Sequence, residues 1–174
     1  MNWYALHIRS NCEHLVALKL TADGIENFYP HVVTKSRDGR REIEKKFMPG
    51  YVFCCFDLAQ RTHIVAITQV VGILGSGRHA VAIPKDEIES VRQIVSSNEA
   101  EPCPYFSTGQ KVRVNQGALM GIEGYVLRSE KRAWVVVSLT ATERSIRAEV
   151  HPRSLELIDQ SREPITIAMP INPD

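Results

Sequence analysis

The sequence predicts an α+β chain in two parts: an N-terminal α/β sandwich built on an antiparallel sheet, followed by a small five-stranded β-barrel. Three observations carry this reading. The nearly continuous apolar run "YVFCCF", residues 51–56, has the length and flanks of a central strand, with helix-like segments before and after it. Further on, five short segments alternate apolar and polar residues with period two over about fifty residues, as in a small bent barrel. Between the two patterns, "SNEAEPCPYFSTG" holds two prolines and has no periodicity, so it reads as a linker. The expected boundaries are residues 1–97, a linker at 98–105, the barrel at 106–158 and a tail at 159–174.

Taken in order, "WYALHI" reads as a strand. "NCEHLVALKLTADG" reads as a helix, with Asn11 as N-cap, Glu13 in its first turn and Gly24 just past its end. "NFYPHVVTKS" is extended, and "RDGRREIEKK" is a charged, solvated loop with Asp38-Gly39 at a hairpin tip. Pro49-Gly50 and Asp57 bound the central strand, along which Tyr51, Phe53 and Cys55 face one side and Val52, Cys54 and Phe56 the other. "QRTHIVAITQ" suits a helix, and "VVGILGSG" a short strand leading into a Gly-rich turn. In "IPKDEIESVRQIVSS", Ile88, Val91, Ile94 and Val95 recur at helical spacing. The barrel strands are "QKVRVNQG", "EGYVLRS", "AWVVVSL", "RSIRAEV" and "SLELI". Val135, Val137 and Leu139 are expected on one face, and Ile146, Ala148 and Val150 on another. Trp134 has two readings, an exposed partner contact or a packed ring. "REPITIAMPINPD" offers no core partner and reads as a tail.

Composition excludes several classes. With 174 residues and 44% hydrophobic content, the chain can bury one moderate core or two small ones. Its 21 Lys+Arg against 20 Asp+Glu leave a formal charge of +1, so nucleic-acid attraction must come from local patches. No apolar run is long enough to cross a bilayer, and the N-terminal stretch lacks a signal-peptide apolar segment; a cytoplasmic monomer is expected. Cys12, Cys54, Cys55 and Cys103 form no C-x-x-C pair, which points to reduced structural thiols and no metal site. No nucleophile and base, phosphate loop or paired carboxylates emerge, so neither catalysis nor a cofactor is expected.

"GQKVRVNQGALMGIEGYVL", residues 109–127, resembles the KOW motif, with Gly117, Gly121 and Gly124 spaced through a tight connection between two strands. Ahead of it, "NWYALHI", "KKFMPGYVFCCF" and "VVGILGSG" resemble, in order and spacing, the N-terminal domain of the NusG family of transcription elongation factors. The resemblance covers roughly residues 2–158. It implies an NGN-like domain and an SH3-like KOW barrel, acting in transcription elongation and antitermination.

In that family an apolar depression on the sheet receives the clamp helices of the largest RNA polymerase subunit. By resemblance Tyr51 and Phe53 line it, with His7, Met48 and Ile73. Thr62 and His63 match a polar cluster that touches the opposite wall of the polymerase cleft; a solvated helix residue is the equal alternative for His63. Arg9, Lys19, Thr68 and Gln69 fall where sequence-specific paralogues approach the displaced non-template DNA strand. General members use a bulky aromatic in the loop after the third barrel strand to contact the termination factor Rho and a small-subunit ribosomal protein. Here that loop reads "LTATERS", which weighs against Rho; a small-subunit ribosomal protein or, as the weaker candidate, Rho is the expected partner of the barrel. "VVVSLTATERSIRAEV" looks instead like the barrels of operon-associated antiterminator paralogues. Its β-branched strands and loop glycines favour a permanent barrel over one that refolds into helices. Two alternatives stand beside this reading: a general NusG-type factor coupling to Rho or the ribosome, and a ribosomal or RNA-binding KOW protein.

Overall fold

Period-two alternation on two long strands organises the first half of the computed structural model, which describes residues 1–76, 79–97, 100–103, 109–128, 132–158 and 165–166. The chain divides into two units, Met1–Glu89 and Ser90–Asp174. The first runs through β1 (Asn2–Ile8), α1 (Glu13–Ala22), β2 (Asn27–Phe28), β3 (His31–Lys35), β4 (Glu42–Lys46), β5 (Tyr51–Phe56), α2 (Arg61–Val65), β6 (Val70–Ile73), β7 (Gly75–Ser76), β8 (His79–Ala80) and β9 (Ala82–Ile83). Its main sheet has the order β2-β5-β1-β6, and β9 also pairs with β1.

Antiparallel register sets Trp3 opposite Cys55, Ala5 opposite Phe53 and His7 opposite Tyr51. These residues therefore share one face, while Tyr4, Leu6, Ile8, Val52, Cys54 and Phe56 share the other. The second set packs with Val16 and Leu20 of α1 and Ile64 of α2 into the main core. "YVFCCF" is thus the central strand the sequence anticipates.

The local structure departs from expectation in three places. Asn11 does not cap α1: it takes φ 61, a left-handed corner that asparagine tolerates, and Cys12 becomes the N-cap without a side-chain hydrogen bond. Residues 42–46, expected in a charged loop, form β4 and pair with β3 as a separate two-stranded hairpin. Its tip closes as anticipated, with the Gly39 N–H donating to the Ser36 carbonyl (2.8 Å) and Gly39 at φ 70. The helix expected across 60–69 is shorter, since only Arg61–Val65 is α-helical.

The Pro49-Gly50 corner is fixed from a distance. The Tyr51 N–H donates to the Met48 carbonyl (3.2 Å), closing a β-turn with proline at its second position and Gly50, at φ 85, at its third. The Gly50 N–H donates to the Glu13 carboxylate (2.9 Å), and the Ile8 N–H donates to the Gly50 carbonyl (2.8 Å). The other Glu13 oxygen accepts from Lys46 Nζ (2.9 Å), which also reaches Asn11 Oδ1 (3.1 Å). Glu13 is only 2% exposed. Burial pushes its carboxyl upward, but Lys46 and the Gly50 N–H outweigh burial and hold it below the ordinary glutamate range.

The second unit contains the end of α3 (Lys85–Ser96), then β10 (Ala100–Cys103), β11 (Lys111–Val114), β12 (Glu123–Arg128), β13 (Ala133–Leu139), β14 (Arg144–Val150), β15 (Leu155–Leu157) and β16 (Ile165–Thr166). All five anticipated strands are present. Two more join them in the ladder β10-β14-β13-β12-β11-β15, with β16 parallel to β12. β10 comes from the segment read as linker and β16 from the segment read as tail; the remainder of both, residues 98–99, 104–105, 159–164 and 167–174, lies outside the described residues. Val135 pairs with Ala148 and Val137 with Ile146, so the two apolar sets expected on separate faces share one face. Trp134 lies on the other, 5% exposed and packed with Leu127 and Val136 under the Arg147 guanidinium, 5.2 Å from its ring.

The three motif glycines each answer a physical need. Gly117 (φ 84) and Gly121 (φ 90) turn the β11–β12 connection. A Cβ on Gly124 would stand 2.3 Å from the Val136 carbonyl oxygen, whereas one on Gly72 meets nothing within 4 Å. Gly124→Ala is therefore expected to destabilise the second unit by about 2 kcal/mol or more, and Gly72→Ala to change the first by under about 0.5 kcal/mol. Urea unfolding followed through the amide signals of β11–β14 and of β1 and β6 checks both. Glu13→Ala is expected to cost the first unit about 2–3 kcal/mol by stranding Lys46 and the Gly50 N–H, and Glu13→Gln less. Because the folded carboxyl is depressed, its contribution is complete above the unfolded glutamate pKa and is lost as pH falls through the folded one. Acid unfolding of Glu13→Ala should lack that step.

Candidate partner-docking site

The face of the main sheet opposite α1 and α2 is where the expected docking residues gather, though not all of them reach its surface. His7 is exposed on β1, and its ring lies 5.9 Å from that of the half-buried Tyr51. Beside His7 on β6 stands Gly72, which has no side chain to cover the imidazole. Behind this pair the sheet is closed: Phe53 and Met48 are 0% exposed. Phe53 is flanked by Phe28, whose ring lies 6.3 Å away. Phe53 lies on the same face as Tyr51, but it and Met48 are closed off from solvent, so neither forms part of the exposed surface.

Ile73 is separated from the pair. It stands opposite Leu6 and packs against the main core on the helix side of the sheet. Its β6 neighbour Gly72, opposite His7, occupies the position next to the candidate surface.

Thr62 and His63 are exposed on α2, whose Ile64 is buried in the helix-side core. They thus lie on the other side of the sheet from His7 and Tyr51. His63 has a carboxylate partner the sequence did not reveal, because Asp23 is distant along the chain: Nε2 lies 3.1 Å from Asp23 Oδ2. The pair is solvent-exposed and ties the C-cap of α1 to α2, a contact of modest energy.

The structure joins three of the four DNA candidates. The Arg9 N–H donates to the Gln69 carbonyl (2.9 Å), which brings the exposed Arg9 and the Thr68-Gln69 turn to one junction. Lys19 is exposed in the last turn of α1, on a different element.

Sequence reading missed Glu13 as the group that fixes the Tyr51 corner. An acidic residue in a first helical turn already has a sufficient local explanation in the helix dipole, so its long-range partner left no signal. The cysteines agree with the structural reading: all four are free thiols, and burial pushes Cys54 and Cys103 up to about 12. Among the described residues no helix is long and apolar enough to cross a membrane.

Comparison with known proteins bears on the family and the fold. The NusG family model, described as transcription termination factor nusG, matches residues 1–92. Transcription termination/antitermination protein NusG of Vibrio vulnificus is 28% identical over 174 residues, covering 90% of this chain and 96% of the relative. The protein of the same name from Escherichia coli is 29% identical over 140 residues, covering 71% of this chain and 77% of its own length. A solved structure of Thermotoga maritima NusG, 21% identical, superposes with a TM-score of 0.53 over 91% of this chain and 97% of that one, a likeness of fold. By the match to residues 1–92, more than half of its length, the chain belongs to the NusG family of transcription termination factors.

Proposed function

We propose that this protein is a transcription elongation and antitermination factor whose first unit docks on RNA polymerase, on the clamp helices of the largest subunit, and suppresses pausing. The observation that carries the reading is the His7–Tyr51 pair, an exposed imidazole and a half-buried phenol ring 5.9 Å apart on the sheet face opposite α1 and α2. A rigid aromatic anchor beside an uncovered imidazole suits partner docking, since such anchors bury large area with little loss of side-chain freedom. Thr62 and His63, on the other side of the sheet, suit a second contact across the cleft, and bridging two walls is how such a factor would hold the clamp closed. Arg9 with Thr68 and Gln69 suits a phosphate or base of the displaced DNA strand.

The second unit recruits a further factor. The loop after β13 carries no aromatic side chain; Thr142 is buried and its hydroxyl donates to the Leu139 carbonyl (3.1 Å), while Glu143 takes φ 49. That loop is a short turn with no bulky apolar side chain to insert into a partner, which weighs against Rho and the ribosomal protein alike.

Titration of the full-length protein against purified RNA polymerase tests the docking surface. Tyr51→Ala is expected to lose about 2 kcal/mol of binding and His7→Ala about 1 kcal/mol, with unchanged thermal unfolding. Wild-type affinity in both variants would sink the assignment of this face. Phe53→Ala is unsuited to the test, because truncating a closed core ring is expected to cost about 3–5 kcal/mol of stability. For the DNA contact, Arg9→Ala should flatten the salt dependence of binding to a transcription complex with exposed non-template strand by about one unit of slope. An unaltered slope would remove Arg9 from that interface.

A further inference from the structure

Outside the docking face, two imidazoles and a carboxylate from three different elements converge. His14 lies in the first turn of α1, His31 begins β3 and Glu44 lies on β4. Each offers a ligand atom, and these atoms all lie within 4.8 Å of one another. His31 Nε2 stands 3.9 Å from Glu44 Oε1, too far for a hydrogen bond and close enough for both to reach one ion. Tetrahedral ligands at about 2.1 Å from a metal are about 3.4 Å apart, so small side-chain rotations close the set.

The surroundings are those of a supported site. His31 Nδ1 lies 2.9 Å from the Tyr29 carbonyl, a contact that places the proton on Nδ1 and leaves the Nε2 lone pair facing Glu44. The Tyr29 ring stacks on the His31 imidazole at 4.3 Å and 18°, fixing its plane. Tyr29 is itself only 6% exposed, and its hydroxyl neighbours the Glu44 carboxylate. Lys46 stands opposite His31 in the β3–β4 register, but its ammonium is directed to Glu13 and Asn11, where its charge is neutralised. That leaves Glu44 with two imidazoles, a donor set suited to zinc-class ions and one that leaves a coordination position for water.

We propose that His14, His31 and Glu44 form a binding site for a divalent transition-metal ion of the zinc class, which clips the β3–β4 hairpin to α1. The hairpin is hydrogen-bonded as a sheet of its own, apart from the main one, so a ligand from α1 and one from each hairpin strand would restrain it directly.

Metal-stripped full-length protein titrated with Co²⁺, and with Zn²⁺ in competition, tests the site. One equivalent is expected to bind, with Co²⁺ absorption of low coordination number, a Zn²⁺-dependent rise in Tm, and slower amide exchange in residues 31–35 and 42–46. His14→Ala and Glu44→Gln should each weaken binding by at least about tenfold and remove the rise in Tm. Neither replaces a core residue, and His63→Ala should leave binding unchanged. Absence of saturable binding up to about 1 mM metal would overturn the proposal, as would binding that survives both variants and disappears on thiol blocking.

Discussion

The arrangement of the first unit depends on the contact between the Glu13 carboxylate and the Gly50 N–H. A backbone donor in the middle of a tight turn cannot be satisfied by the strands it connects, and burying it unpaired is costly. Glu13 satisfies it from the start of α1 and at the same time holds Lys46 at the end of β4. One carboxylate thus fixes where the hairpin ends, where the turn sits and where β5 begins. Since β5 begins with Tyr51, the same contact sets which side chain stands beside His7. Only glycine serves at this corner, because φ 85 is strained for any residue with a Cβ.

From that fixed start, alternation does the rest. Placing Tyr51 on the face away from the helices commits Val52, Cys54 and Phe56 to the core with α1 and α2. The candidate contacts are consequently divided by the sheet: His7 and Tyr51 on one side, Thr62 and His63 on the other. Under the proposed function the sheet and α2 together would set the separation of the two contact sets. The near-neutral composition fits the proposed docking surface of aromatic and imidazole rings, with the cationic candidates limited to Arg9 and Lys19.

What the sequence revealed follows from how local each determinant is. The central strand, the amphipathic α3 and the five barrel strands are written in short-range periodicity, and all were legible. The family could be read from ordered motifs, and Gly117, Gly121 and Gly124 from their spacing. Determinants that arise only on folding were not legible. Whether Phe53 is surface or floor depends on what covers its face; alternation shows its side of the sheet and nothing more. The registers that put Ile73 opposite Leu6, on the core side, and Val135 opposite Ala148, on a shared face, are likewise set by pairing. His63–Asp23 and the His14, His31 and Glu44 cluster join residues far apart in sequence, which no local spacing rule marks.

Within the segment expected as a linker, residues 98–105, the strand at Ala100–Cys103 shows how such a segment is recruited. Arg147 lies on the Trp134 face of the second ladder, opposite Val136 and over the indole ring, and is 6% exposed. A guanidinium so placed requires a counter-charge, and Glu101 provides one through two hydrogen bonds, from Nε (3.1 Å) and from the second guanidinium nitrogen (2.7 Å). Glu101 can do this because β10 pairs with β14 in a register that sets it opposite Arg147. Burial of the arginine and pairing of β10 are therefore mutually dependent. A sequence scan sees a short polar segment with a proline, and the reason it becomes a strand is a charge 46 residues away. On this face Trp134, Leu127 and Val136 are packed together, while Met120, in the β11–β12 connection, stands 63% exposed between two turn-forming glycines.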